Sequence, residues 1–187
     1  MNIQLSTMAL AFVLLAGCGS PDPGSETREN NTNSAAVTST TTIEPSRAPT
    51  LSLTGVGPLV VGQQVPSEGD FTADAAAPGS TCRLFTSTNM PGLTALAEDG
   101  TIRRVTVAVG SNVKLEEGIG VGSTRQEVMR AFPGFVEEPH KYEDSPSGYI
   151  TQPVDDPRLR FEIGQDDRVQ AIHVGRMPQL AYVEGCA

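Results

Sequence analysis

Tryptophan is absent from the 187 residues, and aromatic residues make up only 5% of them. That is a thin supply for a platform that stacks sugars or bases. Cations are scarce as well: 13 Lys and Arg stand against 22 Asp and Glu, a formal net charge of -9. With no basic stripe to displace counterions from phosphates, nucleic acid is excluded as a partner. The same acidity repels anionic headgroups, so any membrane attachment has to come from a source other than charge. Histidine occurs only as His140 and His173 and cysteine only as Cys18, Cys82 and Cys186, in no ligand spacing, so neither a metal nor a cofactor is expected.

What is present begins with "MALAFVLLAG", Met8 to Gly17. The run is too short to cross a bilayer and lies where the apolar part of an export signal lies. It ends in Leu15-Ala16-Gly17-Cys18, which resembles the lipobox of bacterial lipoproteins, although "MNIQLSTMAL" carries no Lys or Arg. The resemblance implies a signal peptide over 1–17 and a mature Cys18 acylated on sulfur and on its new amino group. Several acyl chains would make a lasting anchor in the membrane. Gly19, rather than Asp, implies the outer membrane in a cell that has one.

Residues 18–54 then read as a tether. The stretch is rich in Ser, Thr, Asn and Pro, shows no periodicity, and has too little apolar surface to offset its ordering entropy. A flexible coil of that length holds a folded part about 30 to 35 Å from its anchor. The remainder, Gly55 onward, has the size of one domain with one core or two small halves. In an exported and oxidising setting, Cys82 and Cys186 form an even pair whose default reading is a disulfide. A metal site and a reactive thiol are the competing readings.

Two stretches of the folded region echo one another. "LAEDGTIRRVTVAVG" and "IGQDDRVQAIHVGR" both run from an apolar residue through an acidic turn into a strand. Ile102, Val105 and Val107 in the first have the spacing of Val169, Ile172 and Val174 in the second. Each reads as a β-hairpin, with Glu98 to Gly100 and Gly164 to Asp167 as turns. Upstream, "GVGPLVVGQQV" from Gly55 parallels "GIGVGSTRQEV" from Gly118. Thr124 and Glu127 form a capping box that opens a short helix ending at Pro133-Gly134. In the earlier copy Pro66, Gly69 and Pro78 leave a helix that is short or broken. The expected fold is therefore α+β: two tandem repeats, 55–114 and 115–187, each a short helix followed by antiparallel strands.

Gly120 to Val128, the "FPG" break and the strands after it resemble the small outer-membrane assembly lipoproteins and the two-repeat β-lactamase inhibitor protein. The ending "RVQAIHVGRMPQLAYVEGC" is similar to a group of exported bacterial proteins with the same layout. The resemblance implies a helical hairpin on an antiparallel sheet and protein binding rather than chemistry.

Three stretches carry candidate chemistry. "GIGVGST", Gly118 to Thr124, meets a helix N-terminus but lacks the GK[ST] of a P-loop, and its Thr124 is already used as a cap. Ser111 and Lys114 fit S-x-x-K, without the companion motifs of acyl transfer, and read as a solvated turn. "EEPHKYED", Glu137 to Asp144, gathers carboxylates, an imidazole and a phenol. Taken as extended chain, it places His140 and Tyr142 on one side. His173 points away from Ile172 and Val174, as a solvated or partner-facing residue if that side is open. The hairpin "HKYEDSPSGYITQPVDD" with His140, Tyr142 and Tyr149 is the chosen partner-binding surface, weighed evenly against an ordinary edge hairpin kept soluble by charge. The expectation is a noncatalytic, lipid-anchored interaction module of the cell envelope, active in assembly or sensing. The alternatives are an inhibitor of a secreted hydrolase and, further off, an enzyme built on Ser111 or the carboxylates near His140.

Overall fold

The computed structural model describes residues 49–186, so the export signal over 1–17, Cys18 and the tether as far as residue 48 lie outside the described residues. In chain order the elements are β1 (Gly55–Val56), β2 (Leu59–Val60), β3 (Thr72–Ala73), β4 (Cys82–Thr86), β5 (Leu93–Glu98) and β6 (Thr101–Ala108). A single helix, α1 (Arg125–Ala131), precedes β7 (Val136–Pro139), β8 (Gly148–Thr151), β9 (Arg158–Ile163) and β10 (Val169–Gly175). A 3-10 turn at Gln179–Ala181 follows β10.

The expected pair of helix-plus-sheet repeats is corrected by this architecture, which is mostly β. An eight-stranded antiparallel sheet runs in the order β3-β4-β5-β6-β10-β9-β8-β7, beside a two-stranded β1-β2 hairpin, with one helix of 7 residues among the described residues. The physical reason lies in the upstream segments. Thr124 caps α1, its hydroxyl accepting the Glu127 amide while the Glu127 carboxylate accepts the Thr124 amide. In the first half the corresponding position is Gln64, followed by Pro66 and Gly69, and no helix forms there.

The strand echo, by contrast, has a structural counterpart. Two four-stranded meanders meet at their last strands, β6 against β10, with Val107 opposite Ile172, Thr106 opposite His173 and Val105 opposite Val174. The odd spacing of three residues and then two marks a β-bulge in each copy, since pairing shifts between Leu96 and Ala97 on β5 opposite β6 and between Val169 and Ala171 on β10. One extra residue, Arg103 or Gln170, is left out of the alternation. Ile102 and Val169 therefore stay on the same face as the valines and isoleucines after them, and all six are buried.

The loops ahead of these strands also correspond. Gly62 and Gln63 exchange backbone hydrogen bonds with Ile102, as Gly122 and Ser123 do with Val169. The true correspondence of the two upstream segments is thus Gly62 with Gly122, rather than Gly55 with Gly118. The β5-β6 hairpin closes on Asp99 and Gly100, with φ of 49° and 76°, the left-handed pair a two-residue turn demands.

The core sits on one face of the sheet. Leu93, Ala95, Ile102, Val105, Val107, Ile150, Phe161, Ile172 and Val174 are covered there by Val56, Leu59, Val113, Ile119 and Val128. Phe132, Phe135 and Phe161 form an aromatic cluster at the end of α1. Leu51 is 1% exposed and the Leu51 amide donates to Lys114 O, so the folded region begins ahead of Gly55, inside the segment expected to be tether.

Candidate functional site

Alternation along the strands collects polar side chains on the opposite face. Thr106, His173, Arg160 and Thr151 lie in one row across β6, β10, β9 and β8, and Glu162, Tyr149 and Glu138 lie in the next. Two segments fold over this face: the β7-β8 loop, residues 140–147, and the chain after β10.

At the centre both histidines of the protein turn toward one carboxylate. His140 Nε2 is 3.7 Å from Glu162 Oε1, and His173 Nε2 is 3.5 Å from Glu162 Oε2. His173 Nδ1 bonds the Thr106 hydroxyl at 2.9 Å. Tyr149 stacks on His140 with ring centroids 4.9 Å apart, and the Arg160 guanidinium lies 3.9 Å from the Tyr149 centroid. Glu138 accepts from Thr151 and pairs with Arg160 at 3.5 Å. Burial pushes the His173 pKa down, with Arg104 and Arg160 adding to the shift and Glu162 opposing it. Glu162 is held below the usual carboxylate range by its bond from His173, against the effect of its own burial. The ground state is therefore an ionised Glu162 between two imidazoles, with His173 neutral.

His140 also organises the loop that follows it. Its Nδ1 accepts the backbone amides of Tyr142 and Glu143, at 3.3 and 3.1 Å. That fixes the neutral tautomer with the proton on Nε2, facing Glu162. The loop is pinned further by Ser147 Oγ donating to Glu143 at 2.6 Å and Gln165 Nε2 donating to Asp144 O at 2.7 Å.

The chain after β10 is fastened from below. Arg104, 6% exposed, donates through Nη1 to the carbonyls of Gln179 and Tyr182, and burial pushes its pKa down to about 10, so it stays charged at neutral pH. Leu180 is buried, and Gly185, at φ 67°, lets the backbone pass close over Leu84. Cys186 joins Cys82 at the start of β4, with S–S 2.07 Å and Cα–Cα 5.5 Å. The two covering segments touch where the Tyr142 hydroxyl donates to Glu184 and Lys141 lies 3.8 Å from the same carboxylate.

Of the three residues chosen as a binding surface, His140 and Tyr149 face inward and stack, while Tyr142 is 59% exposed. The chain bends over 141–143, where the His140 cap curls it, so the alternation expected of extended chain does not apply. His173 is corrected too: the face it occupies is covered, and the residue is buried rather than solvated. In the terminal segment Tyr182 is exposed, while Leu180 and Gly185 are buried. Glu137 is paired with Arg125 outside the cluster. The Ser111 hydroxyl accepts the Val113 amide in a local turn. In "GIGVGST" the amides of Gly118, Gly120 and Gly122 donate to Leu115 O, Ser123 Oγ and Val169 O, so these donors are already used within the fold.

Glu162, Thr106, Arg160 and Arg104 were not singled out from sequence. The alternation of "RLRFEI" placed Arg160 and Glu162 on the non-core face, and the repeat register set Thr106 opposite His173; both signals were present. Among the described residues no group of three or more His, Cys, Asp and Glu is placed to hold a metal ion, and no helix is long and apolar enough to cross a membrane.

Fold and site together define a mostly β protein with a two-histidine, one-carboxylate cluster, buried at His173 and half-buried at Glu162, under a tyrosine-bearing loop. No protein-family model and no curated protein matches the chain. Among solved structures it is similar to the uncharacterized protein yfeY from Escherichia coli, at 15% identity and a TM-score of 0.48 over 70% of this chain and 100% of that one.

Proposed function

We propose that the protein is a noncatalytic interaction module, carried on a lipid anchor at Cys18 on the outer side of a bacterial membrane, and that it binds another envelope protein through the Tyr142 loop. The observation that supports the reading most is the position of Tyr142. It is the most exposed aromatic side chain of the described residues and sits on a loop braced by His140, Ser147 and Glu184. A large aromatic presented on a held backbone loses little entropy on contact, which is what an interface anchor needs. Its hydroxyl donates to Glu184, Lys141 lies over its ring, and Glu143 and Asp144 follow it in the loop, so acid outweighs base around it and a basic partner surface complements it.

A photo-crosslinking residue at position 142, in cells expressing the full chain, tests this. A discrete protein adduct, absent when the crosslinker sits at exposed Asn112 and weakened about tenfold by charge reversal at Glu143 and Glu184, is expected. No adduct, or the same adducts from both positions, overturns the reading. Thr106, His173 and Glu162 favour a second reading, because a hydroxyl, an imidazole and a carboxylate in a chain are the parts of a hydrolase. Ester or peptide turnover that is lost in Thr106→Val would put an enzyme in place of the interaction module.

A further inference from the structure

His140 holds two structures with its two ring nitrogens. Nδ1 accepts two backbone amides of the loop that carries Tyr142, and Nε2 faces the Glu162 carboxylate shared with buried His173. A proton added to the ring can enter only at Nδ1, where the lone pair is already shared by the Tyr142 and Glu143 amides. There the new N–H meets two N–H groups and both loop bonds are lost. Resting on the interaction reading above, we propose that the loop is an acid-released latch: protonation of His140 at Nδ1 releases the Tyr142 and Glu143 amides and withdraws Tyr142 from its presented position.

The groups around His140 decide how the latch moves. Glu162 on β9 draws the imidazolium inward, through Nε2. Tyr149 on β8 keeps its stacking face against the ring. His173 on β10 competes for the same carboxylate, and Arg160 and Arg104 stand behind it as cations. Within the loop, Lys141 and Glu143 flank Tyr142, and Glu184 receives both Lys141 and the Tyr142 hydroxyl. The ring therefore stays on the sheet when it gains a proton, and the loop backbone is the part that leaves. Tyr142 then keeps its exposed hydroxyl bond to Glu184 and the Lys141 ammonium over its ring, each weak by itself, while Ser147 and Gln165 still hold Glu143 and Asp144.

Amide hydrogen exchange on the full-length protein, corrected for intrinsic rates, reads this directly. Protection of the Tyr142 and Glu143 amides falls about tenfold between about pH 7.5 and about pH 5 in the wild type, while the amides of Ile172 and Val174 keep theirs. In His140→Asn, whose side-chain oxygen accepts the same amides and does not titrate, loop protection is flat across that range. A flat wild type overturns the latch, and so does an equal fall in His140→Asn, which would assign the effect to His173 or Glu162. Crosslinking from position 142 at both pH values separates the latch from the interaction reading. A loop that opens while no partner is captured at either pH overturns the reading alone. Capture with a loop that stays closed in acid overturns the latch alone.

Discussion

The His173 imidazole is a neutral group that folding has made harder to charge. Its pKa in the unfolded chain is near 6.5 and burial lowers it in the folded protein, so the unfolded state binds the proton better. The contribution to stability is complete above about pH 6.5 and is lost as the pH falls from there toward the lowered folded value. Glu162 has the same sign at a lower window: its pKa is depressed from 4.5, so its contribution is present above about pH 4.5 and lost below. Urea midpoints across the pH range therefore decline first below about pH 6.5 and again below about pH 4.5. In His173→Gln the first decline flattens while the second persists, and a single decline confined below about pH 4.5 in the wild type contradicts the assignment. The His140 latch is a local event and is read at the loop amides rather than in the global midpoint.

At the scale of elements, one cap separates the two halves. Thr124→Ala removes the hydroxyl that accepts the Glu127 amide and costs about 1 kcal/mol, measurable as a lower urea midpoint with unchanged slope. Glu127→Ala removes the other half of the same box, so the double variant costs less than the sum. The β5-β6 turn is stricter. Gly100 has φ 76°, and an added Cβ would lie 2.6 Å from the Gln64 Oε1, so Gly100→Ala costs about 1 kcal/mol or more, with Gln64 displaced. An unchanged midpoint in Gly100→Ala would mean that the turn is not the left-handed pair described. The capping box, the acidic turns and the matching apolar spacing were all legible in the sequence. The bulges that make the spacing three and then two were not, because a bulge is defined only by its partner strand.

At the scale of the molecule, the chain after β10 closes the polar face. It carries no strand, and it is held by Arg104, by buried Leu180 and by a disulfide spanning 104 residues of sequence. The chain-entropy model gives such a loop about 4 to 5 kcal/mol, an upper guide, and Cys82→Ser/Cys186→Ser lowers stability by a large part of that. In this variant the amides of residues 179–186 exchange faster than those of β5 and β6, which tells release of the segment apart from global loss. Equal exchange in both regions would mean that the bridge acts only by restricting the unfolded ensemble. Arg104→Met tests the other fastening: a buried cation is replaced by an isostere of similar size, so global stability changes little while the same amides lose protection.

The amino-acid sequence by itself determined the strand pattern, the capped helix, the two hairpin turns and the cysteine pair. Each follows from residues close in the chain or from a composition that leaves few alternatives. It also placed Tyr142 and His140 near one another. The tertiary structure alone decided that the two halves join edge to edge into one eight-stranded sheet, that His140 and Tyr149 turn inward, and that His173 meets His140 at Glu162. Those three residues come from the β7-β8 loop, β9 and β10, and no local periodicity encodes which side chains share a covered face. That is set by the register of strands far apart in sequence and by the terminal segment folded over them.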